Sequence, residues 1–171
     1  MDLKEVLRER KPAIVKKWFE AALASYHAEA RGPMRRVEAQ FANPVGFDLD
    51  RGLSGLFDAV LQEVLPDTVT TFLDAIVRIR AVQDLAPSEA LAFLLRLKGI
   101  IREELGQQLL AGPGVEKELS VINDVIDDLA LYAFDLYMRC REKIYDIKAK
   151  EAQSATFRLL QKAQLLTKDQ E

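Results

Sequence analysis

Apolar residues recur every three or four positions along nearly the whole chain, and no stretch shows the strict alternation typical of a half-buried strand. Proline and glycine clusters divide this pattern into segments. The pattern predicts an all-α fold, a single bundle of about five helices joined by short loops. These helices cover about residues 3–29, 50–64, 67–83, 87–111 and 116–150.

The last helix is the longest and carries a heptad-like apolar seam. Further large apolar residues surround the centre of this seam, so we expect residues 129–138 to be central in the fold. The tail from residue 151 has a weaker stripe and is predicted to be helical but exposed, which divides the chain into a domain 1–150 and a tail 151–171. The seam residues are Leu119, Ile122, Ile126, Leu129, Ala133, Leu136 and Cys140, and the surrounding residues are Leu131, Tyr132, Phe134 and Tyr137.

Two prolines predict the boundaries near the amino terminus. Pro12 is well tolerated in a first helical turn, so the second part of helix 1 is expected to start there. In "FANPVGFD", Asn43 before Pro44 disfavours helix and Gly46 supplies a flexible turn, which predicts a structured loop. Helix 2 would follow this loop, with an N-cap at Asp48 or Asp50.

Composition excludes several classes of protein. A net charge of −3 and a pI near 5.4 argue against a general nucleic-acid binder. The single cysteine, Cys140, excludes an internal disulfide framework and a multi-cysteine zinc site. Neither a secretory signal nor an apolar run of about 18 residues is present, so we expect a cytoplasmic protein without an integral membrane segment.

No catalytic or metal-binding constellation stands out. The single histidine, His27, cannot supply the two Glu-x-x-His motifs of a di-iron bundle. Gly52 and Gly55 lack the lysine of a phosphate loop and are expected to permit close helix packing. We therefore expect no enzyme, no metal and no cofactor, although a haem ligand role for His27 stays open.

The segment "RIRAVQDLAPSEA", residues 78–90, is rich in polar residues and forms the predicted corner between two helices. Arg78 and Arg80 are two positions apart and cannot share a helix face, so one is predicted to be solvated. The other is expected to pair with Glu89 across the turn or with Asp135, which interrupts the most apolar stretch. A structural corner is the favoured interpretation, and a ligand or partner surface is the alternative. The turn and cap residues here are Gln83, Asp84, Pro87 and Ser88.

Four aromatic residues suggest a ligand pocket inside the bundle. Trp18, Phe19, Tyr132 and Phe134 could line a pocket between helices 1, 4 and 5. Such a pocket would make the protein a small-molecule or haem-binding sensor.

The segment "RIRAVQDLAPSEALAFLLRLKGIIREEL" resembles the N-terminal domain of the RsbR/RsbRD-type co-antagonists of bacterial stress signalling. The segments "IVKKWFEAALASY" and "AQFANPVGFD" are similar to free-standing versions of that domain. The resemblance covers about residues 5–150. It implies a domain that receives a signal, is often dimeric, and has a globin-like arrangement without haem.

In this family the helical domain precedes a phosphorylatable STAS domain or another output domain. No strand-rich segment follows here, so signalling is expected to pass through a separate partner. The predicted function is a non-enzymatic signalling, sensor or protein-interaction module that acts through a protein partner, a homodimer or both. The free-standing versions also imply an accessory role in anaerobic sulfur respiration, which remains an alternative.

Overall fold

The computed structural model describes residues 2–24, 26, 44–63, 67–83 and 85–168. All regular structure within these ranges is helical, which confirms the all-α fold class. None of the helices described is long and apolar enough to cross a membrane. The helices are α1 (Leu3–Glu9), α2 (Lys11–Leu23), α3 (Pro44–Gln62), α4 (Asp67–Val82), α5 (Pro87–Leu110) and α6 (Val115–Lys168).

The first predicted helix is divided into α1 and α2 at Arg10. Pro12 has no N–H group and so cannot donate to the carbonyl of Arg8, which interrupts the helical ladder at this point. Pro12 therefore lies in the first turn of α2, as predicted. Helix α2 ends at Leu23, several residues before the predicted end.

The predicted loop at Pro44 and Gly46 is wrong, because α3 begins at Pro44 and includes Gly46. Asn43 lies outside the described residues, and the predicted N-caps Asp48 and Asp50 lie inside the helix. A proline suits the first helical position because its missing N–H would have no acceptor there. Leu49, which precedes the predicted start of the helix at about residue 50, is buried. Its burial can offset the propensity cost of a glycine, about 1 kcal/mol.

Helices α3 and α4 approach each other closely at Gly52. A Cβ atom added to Gly52 would lie 2.0 Å from Cε2 of Phe72 on α4. A Cβ atom added to Gly55 would meet nothing within 4 Å. The predicted role in close helix packing is therefore confirmed for Gly52 and wrong for Gly55.

Helix α5 begins with Ala86 as its N-cap and Pro87 in its first turn. Oε2 of Glu89 accepts a hydrogen bond from the N–H of Ala86 at 3.4 Å, so Glu89 favours the start of the helix as predicted. Ser88 was expected as the cap but lies inside the helix, because Pro87 takes the first helical position and the cap is therefore Ala86, two residues before Ser88. Gly106, with φ 70° and ψ 164°, breaks the helix near its end.

Helix α6 has 54 residues, and at 1.5 Å per residue it is about 80 Å long. Its predicted seam is buried from Leu119 to Leu136, and Cys140 is half-buried against the core. The expectation that the centre of α6 is buried on most of its circumference is wrong, since Leu131 and Phe134 are exposed. Residues 151–163 are exposed throughout.

The core lies where α2 packs on α3 and α5 and where α6 packs on α4 and α5. Trp18 of α2 is completely buried at its centre. Its Nε1–H donates to the carbonyl of Phe93 at 2.7 Å, and the two rings stack with centroids 6.4 Å apart. Helix α5 therefore connects the two halves of the core, because it packs on α2 as well as on α6.

The two glycines of α3 form a matched pair for a stability measurement. Gly52→Ala should lower the free energy of unfolding by about 1–3 kcal/mol, because Phe72 must move. Gly55→Ala should raise it by about 0.5–1 kcal/mol, because alanine loses less backbone entropy and the site is open. Urea unfolding followed by circular dichroism measures both, and an unchanged stability of Gly52→Ala would contradict the close approach.

Candidate functional site

Arg80, in the last turn of α4, is completely buried with 0% of its surface exposed. Its Nη1 donates to the carbonyl of Ala90 at 2.9 Å, and its Nη2 donates to the carbonyl of Ala22 at 2.8 Å. Cζ of Arg80 lies 4.5 Å from the centroid of the Phe93 ring and 5.2 Å from that of Tyr26. A single side chain therefore joins α2, α4 and α5.

The bond from Arg80 to Ala22 acts as a helix cap. Ala22 is in the last turn of α2, where side-chain donors often bind the helix carbonyls. The positive guanidinium also complements the negative end of the helix dipole. Burial lowers the pKa of the Arg80 guanidinium, and the neighbouring Tyr26 partly opposes this shift.

The predicted ionic partners of the corner are wrong for Arg80. Arg78 is the solvated arginine, as expected, and its Nε lies 2.5 Å from Oδ2 of Asp74. Glu89 accepts from the backbone at the start of α5, and Asp135 is exposed on α6. Backbone carbonyls can satisfy a buried guanidinium without the desolvation cost of a second buried charge.

Helix α6 is attached to the same corner by two side chains that the sequence did not indicate as site residues. The hydroxyl group of Tyr137 donates to the carbonyl of Leu85. Nη1 of Arg141 donates to the carbonyl of Ala81 at 3.0 Å, and its Nη2 donates to the hydroxyl of Tyr145 at 2.8 Å. The available signal was the spacing of four between Tyr137, Arg141 and Tyr145, which places them on one helix face.

A cleft of about 560 Å³ opens beside the buried arginine, and we call it the corner cleft. Ser88 lines it and is exposed, while Gln83 is exposed elsewhere at the corner and Asp84 lies outside the described residues. The cleft combines charged residues with small and apolar ones. Its lining residues are Ala21, Ala24, Arg80, Leu85, Ser88, Glu89, Ala92, Phe93 and Arg96.

A second depression, of about 1160 Å³, lies between α5 and α6, and we call it the α5–α6 groove. Its walls are largely apolar, with Leu95 48%, Leu131 66% and Phe134 43% exposed. Arg96 and Asp127 are its charged residues. Exposed apolar side chains gathered in one groove are typical of a surface that binds another protein.

The predicted aromatic pocket is not formed, because its four residues face different parts of the bundle. Trp18 is in the core, whereas Phe19 lines a separate cleft between α2 and α3. Tyr132 packs half-buried against the core, and Phe134 lines the α5–α6 groove. Neighbouring helical positions point about 100° apart, which separates Trp18 from Phe19.

Metal-ligating side chains do not converge in the part of the chain that the structure describes. No group of three or more His, Cys, Asp or Glu residues there could hold a metal ion. Cys140 is a free, half-buried thiol, and His27 lies outside the described ranges.

Comparison with known protein families finds one profile that covers most of the chain. The profile of the RsbT co-antagonist protein rsbRD N-terminal domain matches residues 12–151. The chain belongs to this family. The resemblance drawn from the sequence is thereby confirmed, and the RsbRD N-terminal domain connects the protein with signalling. No curated protein and no solved structure matches the chain.

Replacement of Arg80 should weaken the RsbRD N-terminal domain through the two carbonyls that it satisfies. Arg80→Met should lower the free energy of unfolding by about 3 kcal/mol, the value of two charge-assisted hydrogen bonds. Arg80→Lys should lower it by less, because an ammonium group cannot serve both carbonyls with a planar fork. Urea unfolding provides the measurement.

Two variants control this experiment. Arg78→Met removes an exposed arginine from the same helix and should change stability by less than about 0.5 kcal/mol. Asp135→Asn combined with Arg80→Met should give additive effects, because the two residues do not form a pair. Strong coupling between them would contradict the observed geometry.

Proposed function

We propose that the chain is a signalling module that acts by protein contact rather than by catalysis, and that its first partner is a second copy of itself. The observation that supports this proposal is an exposed stripe of apolar and small residues along α6. Successive members are separated by three, four or seven positions, the spacing of a coiled-coil seam. We call it the outward stripe; it comprises Leu131, Phe134, Met138, Tyr145, Ala149, Ala152, Thr156, Leu160 and Ala163.

The outward stripe continues where the buried seam of α6 ends. The buried seam extends to the half-buried Cys140 and Ile144. Further along the helix, the positions on the same face are Glu151 and Ser154, which are polar and exposed. The outward stripe instead passes from the α5–α6 groove, at Leu131 and Phe134, into the exposed part of α6 from residue 151 onward, which we call the extension. A partner helix can therefore contact the bundle and the extension at the same time.

Charge distribution favours a second copy, aligned in parallel. Helical geometry places Asp135 and Asp146 along one edge of the outward stripe and Arg141 and Lys148 along the other. In a parallel pair related by a twofold axis, the acidic edge of one helix faces the basic edge of its partner. An antiparallel pair would bring like charges together.

The family description concerns RsbT co-antagonist proteins, and we infer that this domain acts in signalling by presenting the paired α6 helices to a further protein. Helix pairing changes the accessible surface without any chemical step, which suits a module in which no catalytic pair is apparent from the sequence. The accessory role in sulfur respiration stays a prediction, because no described feature bears on it.

Self-association tests the proposal directly. Sedimentation equilibrium of the full chain should show a dimer, and Phe134→Glu should weaken it by about 30-fold, the effect of losing about 2 kcal/mol at a central interface residue. Val121→Glu is the matched control, because Val121 is 41% exposed on the same helix, close to the 43% of Phe134, but lies outside the outward stripe and the α5–α6 groove. A chain that stays monomeric at 100 micromolar, a concentration of the order that weak dimers need, would reject the second copy as partner.

The extension has its own prediction. Leu160→Glu should weaken the dimer by about tenfold, because it places a charge in the seam beyond the bundle while leaving the core untouched. A chain ending at residue 150 should lose affinity to a similar or larger degree. If both forms dimerise like the full chain, the extension does not contribute to pairing.

A further inference from the structure

We propose that the corner cleft is a binding site for a small oxyanion, a phosphate or carboxylate group, that contacts Arg96 and Ser88 in front of the buried charge of Arg80. This inference does not rest on the pairing of α6. It also differs from the predicted aromatic pocket, whose residues do not line the corner cleft.

The first support is the charge of Arg80, which meets no carboxylate among the residues that the structure describes. Its two terminal nitrogens donate to backbone carbonyls, which are neutral, and its Nε has no hydrogen-bond partner among the described residues. Arg80 contributes to the wall of the cleft although no solvent reaches it. In a weakly polar surrounding, such a charge acts over several ångströms, so an anion need not touch Nε to be attracted.

The second support is the set of donors on the cleft surface. Ser88 and Arg96 are eight positions apart on α5, two helical turns, and both line the cleft. Arg96 is exposed and can make a bidentate contact with a phosphate or carboxylate group. The start of α5, a helix of 24 residues, adds the positive end of its dipole. Glu89 is the opposing charge, and it is engaged with the N–H of Ala86.

The size and lining of the cleft restrict the ligand. A volume of about 560 Å³ is that of a small-molecule site and leaves room for an anion with a short carbon skeleton. Ala21, Ala24 and Ala92 form small apolar walls, and Phe93 adds an aromatic surface. The site therefore fits a compact anionic metabolite better than a polyanion.

Binding can be followed with the single tryptophan of the chain. Trp18 stacks on Phe93, and Phe93 also lines the corner cleft. An anion bound in the cleft should therefore change the fluorescence of Trp18. The full chain is titrated with sodium phosphate and, separately, with sodium succinate, each against sodium chloride of equal ionic strength. We expect a saturable change with at least one of the two, and the stronger response identifies the type of anion.

Two arginine variants on the same helix decide whether the site is specific. Arg96→Gln should weaken binding at least tenfold, since it removes the direct contact while leaving the buried core unchanged. Arg102→Gln removes the same charge from an exposed position paired with Glu116 and should leave affinity within twofold. The proposal is overturned if neither anion differs from chloride, or if Arg102→Gln weakens binding as much as Arg96→Gln.

Discussion

The fold depends on how helix ends inside the bundle satisfy their carbonyl groups. The last carbonyls of a helix have no partner in that helix, and burial makes an unsatisfied carbonyl costly. Here arginines from elsewhere in the fold supply the donors: Arg80 of α4 bonds to Ala22 at the end of α2, and Arg141 of α6 bonds to Ala81 at the end of α4. Each bond fixes the end of one helix to the side of another.

The same device recurs at the break in α5. Nη1 of Arg10, between α1 and α2, donates to the carbonyl of Glu104, two residues before Gly106. The non-helical φ and ψ angles of Gly106 interrupt the helix just after this carbonyl. A lysine could not replace these arginines equally, because the rigid guanidinium presents several donors at once and is less strongly hydrated. Hydrogen bonds from arginine side chains to helix carbonyls, together with apolar packing, thus determine how the helices meet.

The sequence predicted what depends on local periodicity and missed what depends on the meeting of distant elements. The buried seam from Leu119 to Leu136 was predicted, because a heptad spacing defines one helix face. The partners of Arg80 were missed because every residue has a backbone carbonyl, so the residue types do not indicate which carbonyl accepts the bond. The start of α3 at Pro44 was missed because Asn-Pro and a glycine favour a turn locally, whereas the packing that extends the helix is tertiary. Leu131 and Phe134 were assigned to the core because α6 has apolar residues on two faces, and periodicity alone does not tell which face is covered.

The corner cleft and the α5–α6 groove share a wall formed by Ser88, Ala92 and Arg96 of α5. A side chain on a shared wall is available to both sites, so an anion that holds Arg96 in the cleft also removes its charge from the edge of the groove. Under the two proposals, binding at one site would change affinity at the other, and by thermodynamic linkage the effect would be reciprocal. Such coupling would need no large movement of the bundle, because the same α5 side chains line both sites. A domain that detects a small anion and reports it by pairing α6 can therefore do so through the position of a single arginine.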